Sequence, residues 1–416
     1  MIDVVAIVSR LARWWLFAIL IFSVAYGLIA FLYPVAMLAV LKDGSVALLV
    51  LLSITAAAVR FKSRASRFAV LINSTAVLIA LWALLAAQAG VDTGAPLLEA
   101  ILDWRFYGLY ALVVLVPGTA LRARKDVVSY LRLVVEVGTI AALIGLTFYA
   151  FPALDITNHV AQIRSGIAER AVVGTLGNRP NMGIFCVLVF AATFSARGYF
   201  VGRYVIVAQA ILIVATLLTF SRTSYAALAF CILVSQFTLT AKRRHLRIAA
   251  ISAGLIAAVA WQPVMIAPVE RAVASVDPTL SGRTALWDDF GYDFGILGNG
   301  LGHLGGTNTL LASTSVTPSA RTGAVDNQLL KMAVDMGFGV ILFVLLLGLA
   351  LTMYYRQLRY ESLASGPFLQ LIAMSVVSFG VDWVHIAPVA LMFWIAIGLA
   401  PVLRRSTPHP ITPAVA

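Results

Sequence analysis

The sequence predicts an all-α integral membrane protein of about twelve transmembrane helices. Two features of the composition lead to this fold class: 61% of the 416 residues are hydrophobic and only 12% are charged, whereas soluble domains carry roughly 25% charged residues. In addition, apolar runs of about 17 residues or more, each able to cross ~30 Å of hydrocarbon as a helix, recur along the whole chain. Because these runs are continuous, helices are favoured over the short alternating segments of a membrane β-barrel.

Each apolar run is interpreted as one membrane-crossing helix. The longest run, 204–240, would form a single helix about 55 Å long at 1.5 Å per residue. Since Ser221, Arg222 and Thr223 interrupt it, the sequence favours a tight hairpin at Arg222 between two helices. The predicted helices occupy residues 14–33, 44–60, 68–89, 106–121, 128–151, 182–201, 204–220, 223–240, 248–266, 328–353, 367–386 and 387–403.

The charged residues predict a topology with both termini in the cytoplasm. Cytoplasmic connections are enriched in Lys and Arg, and with the N-terminus inside they hold 20 of the 30 basic residues. The same connections hold only 4 of the 18 acidic residues. The net charge of +12 therefore comes from short basic loops that face anionic lipid, and it requires no nucleic acid as a partner.

One membrane domain, residues 1–406, accounts for most of the chain, and the proline-rich residues 407–416 are expected to form a disordered cytoplasmic tail. Two long connections, about 152–181 and 263–327, lie on the outer side of the predicted topology. Long loops in compact proteins are usually functional or disordered, and the second one contains helix-like stretches. We therefore expect a partly helical outer loop and chemistry on the outer face. The scattered histidines and the two cysteines inside apolar runs indicate no metal site.

Arginines on the predicted outer side are candidate ligands for an anion. Arg222 lies close to the outer edge of the bilayer, where an arginine costs up to ~3 kcal/mol unless it faces water or a partner. Arg283 opens a predicted loop helix, and Arg179 lies in the turn before the sixth helix, where Asn181 is an expected N-cap. A guanidinium group binds phosphate through paired hydrogen bonds. The alternatives are snorkelling of Arg222 to the interface and simple solvation of Arg283.

Asp326 and His303 are candidate general bases. Asp326 precedes the tenth helix, where its carboxylate could cap the helix or accept a proton from a substrate. Lys331 and Asp335, spaced i, i+4 in that helix, are expected to form a structural ion pair. His303 lies in the glycine-rich stretch 295–306. That stretch has a GxGxxG spacing but no surrounding βαβ unit, so we interpret it as a phosphate-binding turn or a flexible lid rather than a dinucleotide site.

A series of short motifs follows in a defined order along residues 174–345. GNRPN precedes a helix, SRT lies at a hairpin, GRTALW and GNGLG lie in the long outer loop, and VDNQLL opens the next helix. Together, on one face of the membrane, these motifs resemble those of the bacterial O-antigen ligase and O-antigen polymerase (Wzy-type) superfamily. The resemblance implies a GT-C-like glycosyltransferase of the bacterial inner membrane with its active site facing the periplasm. It also implies a donor glycan on undecaprenyl pyrophosphate, used without metal or other cofactor.

The resemblance also implies roles for individual residues. Arg222 and Arg283, with Arg179 beside them, would hold the pyrophosphate leaving group. Ligases of this superfamily usually have histidine where this chain has Asp326, and this difference favours a polymerase with Asp326, or in its place His303, as the base. The base would deprotonate an acceptor hydroxyl that attacks the anomeric carbon with inversion. Further substrate contacts would come from Asn178, Asn181, Trp287 and Asn327.

Three other functions compete with the polymerase. A ligase would transfer the glycan to lipid A core, and a protein O-oligosaccharyltransferase would use the same donor. A lipid-linked glycan transporter would instead keep ionisable residues near mid-membrane and contain two related halves. Few such residues and no repeat are evident in the sequence. The expected partners are the lipid-linked donor, a glycan or lipid-linked acceptor, membrane lipids and a chain-length regulator protein.

Overall fold

The computed structural model describes residues 4–32, 36–59, 67–155, 163–164, 167–168, 171–196, 202–238, 295–302, 327–358 and 361–406. Nearly all of these residues are helical, which confirms the predicted all-α class. Two strands of two residues each, β1 (Ile163–Arg164) and β2 (Ile167–Ala168), pair antiparallel. Of the twelve predicted helical runs, 248–266 lies outside the described residues, and each of the others contains helix.

The first half of the chain forms long helices. They are α1 (Val4–Leu32), α2 (Ala36–Val59), α3 (Arg67–Asp92) and α7 (Arg124–Ala150). Between α3 and α7 lies an irregular helical segment, Leu97–Ala120. It consists of α4 (Leu97–Trp104), a π-helical turn (Arg105–Leu109), α5 (Tyr110–Leu112), a 3-10 turn (Val113–Leu115) and α6 (Pro117–Ala120). Further 3-10 turns lie at Pro152–Leu154, Gly174–Leu176 and Ser362–Ala364.

The second half contains seven further described helices, most of them shorter. They are α8 (Arg179–Ala196), α9 (Gly202–Leu217), α10 (Arg222–Thr238), α11 (Gln328–Met336), α12 (Gly339–Gln357), α13 (Ser365–Val377) and α14 (Ala387–Ser406). Within the described parts of the chain, seven helical segments are long and apolar enough to cross a membrane: α1, α2, α3, Leu97–Ala120, α7, α12 and α14. Three shorter apolar helices, α8, α9 and the helix that contains α13, fall at three more of the predicted crossings.

Two helices form the centre of the bundle. Every residue of Ile184–Ala192 in α8 and of Val389–Ile397 in α14 is at most 1% exposed. A helix that is apolar on all sides belongs in the interior. By contrast, α3 turns small residues such as Ala76 and Ala83 inward and leaves Leu81 and Leu84 exposed. Small residues at helix contacts with large apolar residues outside are typical of helices packed in a membrane.

One end of the bundle collects residues from the predicted cytoplasmic connections. Arg13 forms an ion pair with Asp126, and Arg124 forms one with Glu361. These contacts join α1, α7 and the connection before α13. Residues that the charge pattern assigns to one side of the membrane are therefore neighbours in the fold. We call this the basic end.

Candidate functional site

The predicted hairpin at Arg222 is confirmed. The helix α9 ends at Leu217, and α10 begins at Arg222. Between them Phe220 has a φ of 53°, in the left-handed region that lets the chain reverse direction abruptly. Arg222 lies in the first turn of α10 and its side chain is exposed. At this position the Arg222 side chain can either extend to the membrane interface or bind an anion.

The helix α8 begins two residues earlier than the predicted N-cap. It starts at Arg179, so Asn181 lies inside its first turn, and the prediction that Asn181 caps it is wrong. The physical reason is Pro180, because proline is favoured in the first turn of a helix, where its missing N–H is not needed. The carbonyl oxygen of Asn178 accepts a hydrogen bond from the N–H of Met182 at 3.0 Å, which places exposed Asn178 at the start of the helix.

The starts of α8 and α10 are in direct contact. A Cβ atom on Gly183 would lie 2.4 Å from Oγ of Ser224, so only glycine permits this approach. The positive charge of Arg179 also interacts electrostatically with the hydroxyl group of Tyr225, which lies in the first turn of α10. The fold thus brings the turns that carry Arg179 and Arg222 together.

Residues 378–386, here called the bridging loop, connect this contact to α11. On one side, a Cβ atom on Gly380 would lie 2.8 Å from Oγ1 of Thr223, next to Arg222. On the other side, the N–H of Gln328 donates to the carbonyl oxygen of Ser378 at 2.9 Å. The side-chain oxygen of Gln328 accepts from the N–H groups of Trp383 and of the next residue, both at 3.1 Å. The loop therefore fixes the start of α11 beside the Arg222 hairpin.

The N-cap of α11 is Asn327. Its side chain accepts a hydrogen bond from the N–H of Leu330 at 3.0 Å, which corrects the prediction that Asp326 caps this helix. The cap is one residue later because the helix begins at Gln328. Asp326 directly precedes the cap. The other predicted site residues that lie, like Asp326, outside the described residues are His303, Arg283 and Trp287.

The glycine-rich stretch is a packing element over its described residues, 295–302. The N–H of Asn299 donates to the carbonyl oxygen of Val334 at 2.7 Å, and the N–H of Leu301 donates to that of Ala86 at 3.0 Å. A Cβ atom on Gly300 would lie 2.3 Å from the backbone nitrogen of Gly90. These N–H groups are used within the fold, so neither the phosphate-binding turn nor the flexible lid describes this part of the stretch.

The predicted ion pair within α11 is wrong. Nζ of Lys331 lies 2.8 Å from Oδ2 of Asp382 in the bridging loop, whereas Oδ2 of Asp335 accepts a hydrogen bond from the hydroxyl of Tyr107 at 2.9 Å. Both α11 residues are buried, and their partners come from neighbouring elements rather than from the same helix. The i, i+4 rule describes solvated helix surfaces, and this face of α11 is not one.

This ion pair and two neighbouring carboxylates form what we call the buried charge cluster, in which three residues are buried and Asp382 is largely buried: Asp103, Lys331, Asp335 and Asp382. Oδ2 of Asp103 accepts from the N–H of Gly302 at 3.1 Å. Among the described residues, Oδ1 of each of the three carboxylates is buried and has no hydrogen-bond partner. These orphan oxygen atoms are costly in the interior of a protein, and each requires an explanation.

Within the buried charge cluster, Lys331 and Asp382 keep each other charged. Burial opposes the charged form of Lys331, but Asp382 and the other carboxylates outweigh it and raise its pKa above the usual value. Burial likewise opposes ionisation of Asp382, yet Lys331 and then His385 lower its pKa below the usual value. The pair is therefore a true ion pair at neutral pH.

A second group of charges adjoins the buried charge cluster through the π-helical turn. Arg105 opens this turn and forms an ion pair with Asp43 of α2, and Nζ of Lys42 lies 3.8 Å from the same carboxylate. Lys42 also lies 4.7 Å from the ring centroid of Tyr26. The π-helical turn carries Arg105 and Tyr107, so it serves both groups. Such turns occur frequently at functional sites.

The buried charge cluster was missed by sequence reasoning. Its signal was present, because Asp103 and Arg105 lie within an otherwise apolar membrane segment, Leu97–Ala120. Ionisable residues in such segments are rare and usually functional. Lys331 and Asp335 were recognised, but they were assigned to each other.

The end of the bundle that holds the Arg222 hairpin, the bridging loop and the buried charge cluster, which we call the site end, combines exposed Arg222 and half-buried Arg179 with buried carboxylates. Exposed arginines can bind an anion such as a phosphate, and buried carboxylates can hold a proton. In the part of the chain that the structure describes, no group of three or more His, Cys, Asp or Glu residues could hold a metal ion. No protein-family model and no curated protein matches this chain.

Proposed function

We propose that this protein is a glycosyltransferase of the bacterial inner membrane that acts at the periplasmic face, and specifically a polymerase of O-antigen or another surface polysaccharide. Its donor is a glycan linked to undecaprenyl pyrophosphate. One observation carries the proposal: the helix starts that hold Arg179 and Arg222 touch each other, and the bridging loop joins them to Asn327, which follows Asp326. The arginines proposed to bind the anion and Asn327, the residue that follows the candidate base in the sequence, are thereby held at one end of the bundle.

The proposed reaction is an inverting glycosyl transfer. The acceptor hydroxyl oxygen forms a bond to the anomeric carbon of the donor sugar while the bond from that carbon to the pyrophosphate oxygen breaks. The hydroxyl proton passes to Asp326, or to His303 in its place. The leaving pyrophosphate keeps the electron pair, and Arg222, with Arg179 and Arg283, stabilises its charge. Attack opposite to the leaving group inverts the anomeric configuration.

The proposal includes the predicted topology of twelve crossings, both termini in the cytoplasm and a GT-C-like arrangement. The basic end then faces the cytoplasm, where Lys and Arg are enriched. Its ion pairs, Arg13 with Asp126 and Arg124 with Glu361, agree with this orientation. The site end consequently faces the periplasm.

The transporter is the second candidate, because one specific observation favours it. The buried charge cluster places ionisable groups inside the helix bundle, as in proton-coupled carriers. The ligase and the protein O-oligosaccharyltransferase use the same donor as the polymerase and differ only in their acceptor. One experiment separates the polymerase from the ligase and from the transporter.

The test is a glycan ladder on a gel from a deletion strain complemented with the wild-type chain or with Arg222→Ala, Arg179→Ala or Asp326→Ala. A polymerase requires that the deletion leave single repeat units on the surface lipid and that the wild type restore the ladder. The three variants should lose the ladder at wild-type expression. Arg132→Ala is the matched control, because that exposed arginine pairs with Glu136 on the surface of α7.

Other outcomes contradict the polymerase. Polymer that accumulates on undecaprenyl pyrophosphate in the deletion strain identifies a ligase. Lipid-linked single units trapped on the cytoplasmic side identify a transporter, and the catalytic assignments are then wrong. A full ladder in both arginine variants would show that these arginines do not bind the leaving group.

A further inference from the structure

The buried charge cluster carries more negative charge than its one lysine can balance. With all groups ionised, Asp103, Asp335 and Asp382 surround Lys331 and leave an excess of two negative charges. Asp103, Lys331 and Asp335 are at most 5% exposed. An ionised carboxylate without a counter-ion is so costly in such a place that it takes up a proton instead. The cluster therefore binds at least one proton.

The geometry selects Asp335 as the residue that holds the proton. Asp382 contacts Lys331 directly, and the N–H of Gly302 stabilises the charged form of Asp103. Asp335 has no ion-pair contact among the described residues, and only the hydroxyl of Tyr107 donates to it. It also lies in the last turn of α11, where the partial negative charge of the helix end disfavours a carboxylate.

The charged and titratable neighbours of Asp335 change its pKa in opposite directions, and together with burial their net effect is an increase. Burial is the largest cause and raises the pKa of Asp335, Lys331 opposes it and Asp103 adds to it, and the resulting pKa is about 7. Tyr107, from the same segment as Asp103, lowers it by its hydrogen bond, and Asp382, from the bridging loop, raises it.

The bridging loop connects the ion pair of the cluster to the aqueous phase. Nδ1 of His385 lies 3.5 Å from Oδ2 of Asp382, and the same oxygen contacts Lys331. The His385 side chain is 41% exposed, whereas that of Asp382 is 15% exposed. The imidazole ring also packs edge-on against Phe106 at 6.4 Å. His385 thus reaches from the surface of the site end to the ion pair inside, and histidine side chains commonly act as proton shuttles.

We propose that the buried charge cluster is a proton-binding site, in which Asp335 holds the proton and His385 exchanges it with the aqueous phase at the site end. This inference does not depend on the proposed function. A transferase must dispose of the acceptor's proton, and a carrier can use a proton gradient. The π-helical turn, which contributes Tyr107, is a further sign of a functional site here.

The first test is infrared difference spectroscopy of the purified full-length protein in lipid nanodiscs during a pH titration. We expect the carbonyl stretch of a protonated carboxyl group, which disappears as the pH rises through neutrality. Asp335→Asn should remove this band. Asp92→Asn should leave it unchanged, because Asp92 is exposed at the end of α3. A band that persists unaltered in Asp335→Asn would refute the proposal.

A second test uses thermal stability at neutral pH. Asparagine has the shape and charge of a protonated aspartic acid but cannot ionise in the unfolded state, so Asp335→Asn should melt at least as high as the wild type. Asp382→Asn should melt markedly lower, since it removes the counter-ion of Lys331. Equal losses in the two variants would mean that Asp335 is ionised, and the proton would have to be placed elsewhere.

A third test addresses the route. His385→Phe keeps an aromatic ring against Phe106 but cannot carry a proton. After a rapid pH jump, the infrared band should appear several-fold more slowly in this variant, and imidazole in the buffer should restore the rate. An unchanged rate would show that the proton enters by another path.

Discussion

Lys331 and Asp382 offer a direct measurement of how much the buried ion pair contributes to stability. The perturbations are Lys331→Met, Asp382→Asn and the double variant. Nζ of Lys331 lies 2.8 Å from Oδ2 of Asp382, and the two side chains are only 7% and 15% exposed, respectively. Removing one partner of a buried pair costs roughly 3–5 kcal/mol. Because the carboxylate of Asp103 still acts on the ammonium group, Asp382→Asn should cost about 3 kcal/mol, at the lower end of this range.

Loss of the lysine should be more damaging than loss of the aspartate. Lys331→Met leaves the carboxylates of Asp103 and Asp382 without a cation, so a destabilisation of about 4 kcal/mol or more is expected. The double variant removes both charges of the pair, and its cost should fall short of the sum of the single costs by at least ~2 kcal/mol. The free energy of unfolding would be measured by titration with a denaturing detergent in mixed micelles.

The control is the exposed pair of Arg132 and Glu136. Its side chains are 59% and 38% exposed, and exposed pairs at this spacing contribute about 0.3–0.5 kcal/mol. If the cycle at Lys331 and Asp382 yields a coupling no larger than that of the control, the ion pair does not hold the bridging loop on α11, and our account of the site end fails.

Three further predictions concern the surroundings of this pair. Gly90→Ala would place a Cβ atom 2.0 Å from the carbonyl oxygen of Leu301 and should destabilise the protein by about 2–3 kcal/mol in the same unfolding titration. The control is Gly44→Ala, whose Cβ atom meets no atom within 4 Å and which should be neutral. Asn327→Ala removes the N-cap of α11 and should cost about 1 kcal/mol; an unchanged melting curve would contradict it. The raised pKa of Asp335 means that the folded state binds its proton more tightly than the unfolded state. Stability from this group is therefore full below the ordinary aspartate pKa and lost as the pH rises to about 7. This slope should be absent from melting curves of Asp335→Asn.

Much of the fold could be predicted because a bilayer restricts the choices. Unpaired backbone groups are excluded from hydrocarbon, so long apolar runs must be helical. The break at Arg222 was also predictable, since a continuous helix there would exceed the thickness of a bilayer. The predicted N-caps of α8 and α11 are wrong by one or a few residues, because neighbouring polar residues compete for the N-cap position. A pattern of apolar residues does not resolve that competition to one residue.

The buried charge cluster could not be predicted in the same way, because its contacts join distant parts of the chain. Lys331 and Asp382 are 51 positions apart, and Tyr107 and Asp335 are 228 apart. Sequence spacing gives only neighbours on the same helix, so Lys331 was paired with Asp335. The correct partners depend on how α4, α11 and the bridging loop pack. No single periodicity in the sequence contains that information.

The π-helical turn at Arg105–Leu109 has a consequence for how the chain tolerates length changes. A π-helical turn amounts to one residue more than an α-helix would use, and each residue of an α-helix rotates the chain by about 100°. Deleting one residue here would restore α-helical register and swing Asp103 by that angle relative to α5 and α6. A single-codon deletion should thus leave a membrane helix of adequate length while turning Asp103 away from Lys331. At this position a change of length would harm the protein by rotating the side chains about the helix axis, and not by making the helix less hydrophobic.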